Sequence, residues 1–485
     1  MNKPIRRVSV FCLVLILALM LRVNWVQGVQ ASAWANNPHN DRTKYDKYAY
    51  PRGNIIVGGQ AVTKSDFVNG LRYKYKRSWT DGPMYAPVTG YSSQTYDATQ
   101  LEKLEDGILS GTDSRLFFRN TLDMLTGKPK QGGDVVTTID PKVQKAAFEG
   151  LGNKKGAAVA IDPKTGAILG LVSTPSYDPG TFAGGTKEDE KAKAALDADP
   201  NKPLLNRALR ETYPPGSTFK LVTAATAFET GKYQQPSDLT DTPDQYILPG
   251  TSTPLINASP TEDCGNASVQ HAMDLSCNTV FGKMGAELGG DKLRAQAEKF
   301  GFNKEVNIPI RADASHFPSN SKPDGTAMDA IGQHDTRATP LQMAMVAAAI
   351  ANNGSLMEPY LVAQEGSAGN VISTHTEHQM SQAVSPATAQ KLQQLMESVV
   401  QNGTGKNAKI PGVTVGGKTG TAQHGQDNSS PPFAWFVSYA KGQDGKQVAV
   451  AVVVEDGGGG EAREVTGGSL AAPIAKSMMQ AALGK

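Results

Sequence analysis

Cysteine is scarce in this chain, three residues in 485. That is too few for a disulfide scaffold, and the spacing suits no zinc site. An excess of charge of one sign is lacking as well. The 48 Lys and Arg residues against 46 Asp and Glu leave a formal charge of +2, so no strong field gathers nucleic acid and no such partner is expected. Only one long apolar run occurs, which excludes a multi-spanning membrane protein. Glycine (50) and proline (29) supply many turns but stop well short of low complexity. No internal repeat is present. What remains is a globular composition, 39% hydrophobic and 19% charged, long enough for roughly three domains at about 150 residues each.

The apolar run lies at the N-terminus. Lys3, Arg6 and Arg7 precede Val8 to Leu21, a stretch of 14 residues. That length suits a signal-peptide core, whereas a spanning helix needs about 20. Counting on past Arg22 and Asn24 to Trp25 and Val26 reaches 19, with Arg22 snorkelling to the far interface and Trp25 in the aromatic belt. Ala31-Ser32-Ala33 is a candidate cleavage site. A retained anchor and a cleaved signal both fit these residues. In either case the positive charges stay inside and the chain after about residue 28 is exported. Cys12 then lies in the membrane segment, and Cys264 and Cys277 lie in an oxidising compartment, 13 positions apart. Pairing is permitted there, with two buried free thiols as the alternative.

Residues 34–155 carry short, mixed signals with several Gly turns, an irregular α+β region. Asp134 to Ile139 alternates as a strand, Pro141 to Leu151 reads as a short helix, and a domain boundary falls near residue 155. Beyond it, Ala157 to Ile161 and Ala167 to Val172 flank Asp162-Pro163-Lys164-Thr165-Gly166, a hairpin by its turn chemistry. Helices are expected over Ser217 to Glu229, after Thr339-Pro340, after Ser385-Pro386, and from about Leu470. In the third, Leu392, Leu395, Met396, Val399 and Val400 form a stripe read as core packing. Strands are expected at Val413 to Val415 and onward, Phe433 to Ala440 and Val448 to Val454. Strands, a helical middle and more strands suggest one sheet with helices packed on it.

Three short strings carry chemistry, and two of them have decoys. Ser-x-x-Lys occurs at Ser217/Lys220, Ser319/Lys322 and Ser438/Lys441. The chemistry needs the lysine amine beside the serine hydroxyl, and a helix places i and i+3 on one face. Ser319/Lys322 sits between Pro318 and Pro323, and Ser438/Lys441 ends a strand run whose side chains alternate. Only Ser217/Lys220, after Pro214-Pro215-Gly216, opens a helix, where the dipole favours a developing oxyanion. Lys-Thr-Gly occurs at Lys164 to Gly166, explained by the hairpin turn, and at Lys418-Thr419-Gly420-Thr421, which continues an apolar strand along which a substrate backbone can pair. Ser276-Cys277-Asn278 is, alone, an ordinary loop finding.

Together, in this order, with gaps of 59 and 142 residues, they form the Ser-x-x-Lys, Ser-x-Asn, Lys-Thr-Gly set of the penicillin-recognising serine enzymes. The chain resembles the class B penicillin-binding proteins, nearest the actinobacterial penicillin-binding protein A group. Longer phrases agree: Asn206-Arg207-Ala208, Tyr213 to Lys220, Ile331-Gly332-Gln333, Lys418 to Gln423 and Ala86 to Tyr91. The resemblance implies a single-pass membrane protein with four parts: a cytoplasmic tail (1–7), an anchor (8–26), a non-catalytic, dimerisation-like domain (27–155) and a transpeptidase domain (156–485). The fold implied is α/β, an α+β sandwich with a central antiparallel sheet, preceded by the small irregular domain. The activity implied is D,D-transpeptidation of peptidoglycan stem peptides through a serine acyl-enzyme, with β-lactams as inhibitors. Glycosyltransferase, divisome or elongation partners are implied as well, and no cofactor.

By position, Ser217 would be the nucleophile and Lys220, as a neutral amine, would take its proton. Ser276 would shuttle protons to the leaving group and Asn278 would hold the substrate amide. Lys418 would add positive charge near the terminal carboxylate. Thr419, Gly420 and Thr421 would bind substrate or β-lactam, the two hydroxyls bonding the carboxylate. The backbone N–H groups of Ser217 and Thr421 would form the oxyanion hole, and a Cys264–Cys277 disulfide would brace the loop of Ser276 and Asn278. Two departures from the family bear on partner contacts: Arg52-Gly53-Asn54-Ile55 is followed by Val57-Gly58-Gly59 instead of acidic residues, and the N-terminal domain is short. His375 and His378, the one His-x-x-His pair, read as a solvated loop and not a metal site. His334 and His424 flank motifs without a role, and Asp456 and Glu461 read as a solvated loop. A D,D-carboxypeptidase, differing only in using water as acceptor, and a non-catalytic penicillin sensor are the alternative readings. A β-lactamase is disfavoured because no Glu-x-x-Leu-Asn string lies between Asn278 and Lys418.

Overall fold

The run Gln447–Val454 is apolar at nearly every position and its residues from Val448 to Val454 are buried. A strand without a polar face has to lie inside a sheet covered on both sides. In the computed structural model, which describes residues 3–35, 45, 47–69, 73–116, 121, 125–127, 131–258, 263–367, 369–424, 430–455 and 466–485, it does. The central sheet is built from β1 (Gly156–Ile161), β2 (Ile168–Thr174), β3 (Thr414–His424), β4 (Ser430–Lys441) and β5 (Gln447–Val454). Their spatial order is β3-β4-β5-β1-β2, and every pairing is antiparallel. Strand β5 is the middle member and β3 an edge.

Helices cover both faces. On one side α2 (Pro141–Leu151) and α9 (Ala472–Leu483) pack Val143, Ala147, Ile474 and Met478 onto Ala158, Val450 and Val452. On the other side, α3 (Lys220–Glu229), α7 (Pro340–Ala351) and α8 (Pro386–Gln401) join Val159, Val437 and Val453 in the larger core. The expected helix starts are made by capping: Asp140 accepts from Lys142 N–H (2.7 Å), Thr339 from Gln342 N–H (3.1 Å) and Ser385 from Thr388 N–H (3.3 Å). Each is followed by proline at the first helical turn, where its missing N–H costs nothing.

The N-terminal helix α1 spans Lys3–Gly28, with a mean hydropathy of 2.2 in its most apolar window and no buried residue. It begins inside the segment expected as a tail, because Pro4 falls in its first turn, where the missing N–H costs nothing. A second five-stranded sheet crosses the boundary expected near residue 155. Its order is Asn370–Thr374, Val362–Ser367, Asp134–Thr137, Ile55–Val57 and Gln60–Ala61. Two strands from late in the chain thus cover the open edge of Asp134–Thr137 and tie the two regions together.

A carboxyl pair lies at this seam. Glu105, between two short N-terminal helices, hydrogen-bonds Glu365 of the Val362–Ser367 strand. Glu365 also accepts from Arg115 (2.5 Å) and from the Ser373 hydroxyl (2.7 Å). Burial, then the bond to Glu365 and its charge, push Glu105 up to about 7. Burial would raise Glu365 too, but Arg115, Ser373 and the Glu105 proton hold it below the usual carboxylate range. The folded chain therefore grips a proton on Glu105 that the unfolded chain releases near its ordinary 4.5. The stabilisation is complete below that value and is lost as pH rises through about 7; the contribution of Glu365 runs the other way and is lost in acid. Replacing Glu105→Gln should leave the unfolding free energy near wild type at pH 5 and raise it at pH 8, by about 1 kcal/mol for this partly exposed site, as read from denaturant melts at each pH. An equal shift at both pH values would contradict the shared proton.

Candidate active site

The nucleophile candidate sits on a tight turn that four backbone contacts define. Gly216 takes φ 53°, a conformation glycine adopts at no steric cost. Its N–H donates to the Gly332 carbonyl (2.9 Å). A Cβ at Gly332 would collide with the Gly216 carbonyl, so Ile331-Gly332-Gln333 carries glycine where two backbones touch. On the other side, a Cβ at Gly420 would meet Thr218 and the Pro215 carbonyl, and Trp435 Nε1 donates to the Pro214 carbonyl (3.0 Å). The sequence pattern predicts an α-helix from Ser217, and here the structure differs. Gly216–Phe219 is a 3₁₀ turn, and α3 starts at Lys220. The positive φ of Gly216 and the Pro215 carbonyl, which takes both the Thr218 N–H (3.3 Å) and its hydroxyl (2.7 Å), tighten the first turn. A 3₁₀ turn eclipses i and i+3, which aligns Ser217 with Lys220 more closely than an α-turn does.

Lys220 is fully buried. Its Nζ donates to the Ser276 carbonyl (2.6 Å) and Asn278 Oδ1 (2.7 Å), lies 3.3 Å from Ser276 Oγ, and sits 5.6 Å from the Phe281 ring centroid. Lys418, equally buried, donates to the same Ser276 Oγ (2.8 Å) and to the Thr419 carbonyl (3.1 Å). One serine hydroxyl therefore joins two lysine amines from separate elements. Ser276 caps helix α4 (Val269–Leu275) at φ 65°, a left-handed conformation that costs a non-glycine residue about 1 kcal/mol or more. The Ser276 N–H and Cys277 N–H close the turn onto Met273 and Ala272. Asn278 opens α5 (Asn278–Leu288), and its Nδ2 donates to the Ile256 carbonyl (2.8 Å). Asp274 stands two residues before Ser276. It accepts from Ser398 Oγ of α8 (2.9 Å), and its burial raises it above the usual carboxylate range.

The Lys418-Thr419-Gly420-Thr421 string lies on β3, whose outer edge pairs with no strand among the described residues. The Thr419 hydroxyl pairs with that of Thr404 (2.6 Å), and Thr421 is exposed beside the Gly216 turn.

The other copies of these motifs lie elsewhere. Ser438 is buried in β4 with its hydroxyl toward Val450, and the Lys441 amine bonds Gln393. Ser319 and Lys322 line a separate cavity of about 480 Å³. Lys164 to Gly166 forms the hairpin turn, Gly166 donating to the Asp162 carbonyl. His375 stacks on Tyr360, and burial lowers its affinity for a proton. Among the described residues, no group of three or more His, Cys, Asp or Glu side chains is placed to hold a metal. Asp456, Glu461 and the His424 side chain lie outside the described residues.

Glu455 was not visible as a site residue in the sequence. Its carboxylate accepts from Tyr213 Oη (2.7 Å), Arg207 Nε (2.8 Å) and Lys155 Nζ (2.9 Å). Burial would raise it, but Lys155, Tyr213 and Arg207 hold it below the usual range; burial and that carboxylate in turn push Tyr213 up. Arg207 belongs to the Asn206-Arg207-Ala208 phrase, so the phrase anchors the strand end to Tyr213, four residues before Ser217. A signal existed in the apolar run that ends at a single glutamate.

Two family descriptions match this chain: the penicillin binding protein transpeptidase domain over residues 156–480 and the penicillin binding protein A dimerisation domain over 52–135. The chain belongs to the class B penicillin-binding proteins. It is 43% identical to the peptidoglycan D,D-transpeptidase PbpA of Mycolicibacterium smegmatis, covering 100% of this chain and 99% of that protein. The PbpA of Mycobacterium tuberculosis is 42% identical at the same coverage. Solved structures of penicillin-binding protein A from M. tuberculosis, as ceftriaxone and penicillin G acyl-enzyme complexes, superpose with TM-scores of 0.86 and 0.83. They are 41% and 40% identical, over 90% of this chain and 100% of each.

Cys264 and Cys277 are joined in a disulfide, with Cα atoms 5.9 Å apart and both residues buried. Cys277 is the residue between Ser276 and Asn278. Closing a loop of this size is worth about 3 kcal/mol in the chain-entropy model. The denatured, unreduced ectodomain should show no titratable thiol, and reduction should lower the melting temperature and the rate of β-lactam acylation together. Two free thiols in the unreduced protein would contradict the pairing.

Proposed function

We propose that the protein is a membrane-anchored D,D-transpeptidase that cross-links peptidoglycan stem peptides through an ester on Ser217 and is acylated there by β-lactams. The observation that carries this is the meeting of three separated motifs: the Ser217 turn, the buried amine of Lys220 on Ser276 and Asn278, and Lys418 on the same Ser276 hydroxyl. Identity of 43% over the whole length to a PbpA transpeptidase supports the reaction class.

The chemistry follows from those positions. A stem peptide ending in D-Ala-D-Ala pairs its backbone with the free edge of β3 and sets its carboxylate near Thr419, Thr421 and Lys418. Asn278 orients the substrate amide. Ser217 Oγ attacks the penultimate carbonyl while its proton passes to Lys220, which accepts it as a neutral amine. Backbone N–H groups of Ser217 and Thr421 stabilise the oxyanion. Collapse breaks the C–N bond, and the departing D-Ala amine takes its proton through Ser276. An acceptor amine then attacks the ester, passes its proton back by the same route and frees Ser217. Water in place of the amine would make the enzyme a carboxypeptidase. Domain 27–155 serves as a pedestal for association, and a glycosyltransferase supplies the strands to be joined.

Given a stem-peptide donor, the purified ectodomain should form cross-linked product with an amine acceptor and much less hydrolysed donor. Ser217→Ala and Lys220→Ala should each abolish labelling by a fluorescent penicillin, a loss of at least about 100-fold given what a nucleophile or its base contributes. Ser319→Ala and Ser438→Ala should label like wild type. Equal hydrolysis with and without the amine would favour the carboxypeptidase.

Helix α1 is read as a retained anchor with its N-terminus in the cytoplasm, on the strength of its 26-residue length and the Lys3, Arg6, Arg7 flank. N-terminal sequencing of the membrane-extracted protein should begin at the first residues of the chain. A mature chain starting at Trp34 would contradict the anchor.

A further inference from the structure

The turn that carries Ser217 leans on a second loop, residues 330–338, and that loop is organised by a single carboxylate. Asp329 ends helix α6 (Pro323–Asp329) and is fully buried. Its Oδ2 accepts from the Ser321 hydroxyl (2.5 Å). Its Oδ1 accepts from Asp335 N–H (3.0 Å) and the Thr336 hydroxyl (3.3 Å), and lies 3.3 Å from His334 Nδ1. Its own carbonyl accepts from Gly332 N–H (3.0 Å) and again from Thr336 (3.2 Å). One residue thereby bonds the loop at positions 332, 334, 335 and 336. His334 sits at φ 54° inside it, a strained conformation for a residue with a side chain, which persists only where surroundings over-determine it.

The loop grips the nucleophile segment at three places. The Gly332 carbonyl takes the Gly216 N–H (2.9 Å), directly before Ser217. The Ala330 carbonyl takes the Thr223 hydroxyl of α3 (2.6 Å), one turn after Lys220. Ala338 and Tyr213 exchange two backbone bonds, of 2.9 and 2.8 Å. These contacts bracket Ser217 and Lys220 from both ends, and a misplacement of about 1 Å at a nucleophile can cost 100-fold in rate.

We infer that Asp329 is a positioning residue for acylation: it touches neither substrate nor Ser217, and sets the 332–336 turn that holds Gly216 and so the Ser217 hydroxyl in reacting geometry. The inference rests on Ser217 being the nucleophile. The role asks for an acceptor on Asp335 N–H and Thr336, not for a charge. Asn at this position keeps that acceptor and can donate its amide to Ser321; Ala supplies neither.

The test is stopped-flow acylation of the detergent-solubilised full-length protein by a chromogenic β-lactam, resolving the pre-acylation dissociation constant from the acylation rate constant. Asp329→Ala should lower the rate constant at least about 10-fold while the dissociation constant stays within about 3-fold. Asp329→Asn should stay within about 3-fold of wild type in both. Thr336→Val, which removes one bond to Oδ1 and one to the carbonyl, should lower the rate constant about 3-fold or more while the protein stays fully folded at the assay temperature, and it carries the test if Asp329→Ala does not fold. A wild-type rate constant in Asp329→Ala, or in Thr336→Val where that variant stands in, overturns the role. So does an Asn variant as slow as Ala. Ser217→Ala run alongside separates the two ideas: label retained there refutes the nucleophile, whereas label lost there with a wild-type rate in Asp329→Ala refutes the positioning.

Discussion

A buried lysine amine must find oxygen partners, and the site is organised around that demand at Lys220. Leaving such a group unpaired costs several kcal/mol or more. Its partners are the carbonyl of Ser276 and the amide oxygen of Asn278, 56 and 58 residues away in sequence. The segment between them has to be held rigidly against α3. Three features do this from different directions: the Cys264–Cys277 disulfide, the Ser398 bond to Asp274 from α8, and the Lys418 amine from the edge strand on Ser276 Oγ. The left-handed backbone at Ser276 is the local cost of aiming one hydroxyl between two amines.

The serine turn is fixed by backbone approach rather than by side chains. Gly216, Gly332 and Gly420 stand where any Cβ would strike another backbone segment or a packed side chain. The Tyr213–Glu455–Arg207 network and the Trp435 bond to Pro214 attach the preceding residues to the end of β5 and the middle of β4. The central sheet thus bounds the site on two sides: β3 as its edge strand, and the covered middle strands as the support on which the turn rests.

Much of this was legible in the sequence because it depends on local rules. The valine run of β5, the Asp-Pro, Thr-Pro and Ser-Pro helix starts and the Lys164 to Gly166 turn all stand near where their chemistry places them. The Ser217 and Lys418 motifs were separable from their copies by proline, strand alternation and turn context, and Ser276-Cys277-Asn278 stood out only by its place between them. Three things were not legible. The 3₁₀ turn at Ser217 depends on Gly216 meeting Gly332, a contact across 116 residues. The second sheet depends on strands near residue 365 reaching back to Asp134, a pairing across more than 200 residues that no local signal announces. Glu455 and Asp329 look like ordinary acidic residues until their long-range partners are in place.

The acyl-enzyme on Ser217 is the point on which the chemistry stands or falls. In a β-lactam adduct the leaving amine stays tethered and shields the ester, and no Glu-x-x-Leu-Asn string of the class A β-lactamases lies between Asn278 and Lys418. Peptide mapping by mass spectrometry after brief exposure of the ectodomain to benzylpenicillin reads this directly. The expected result is one adduct per chain, confined to the peptide holding Ser217 and persisting long after free drug is removed. An adduct on any other residue, or rapid turnover of the drug to penicilloate, would contradict it.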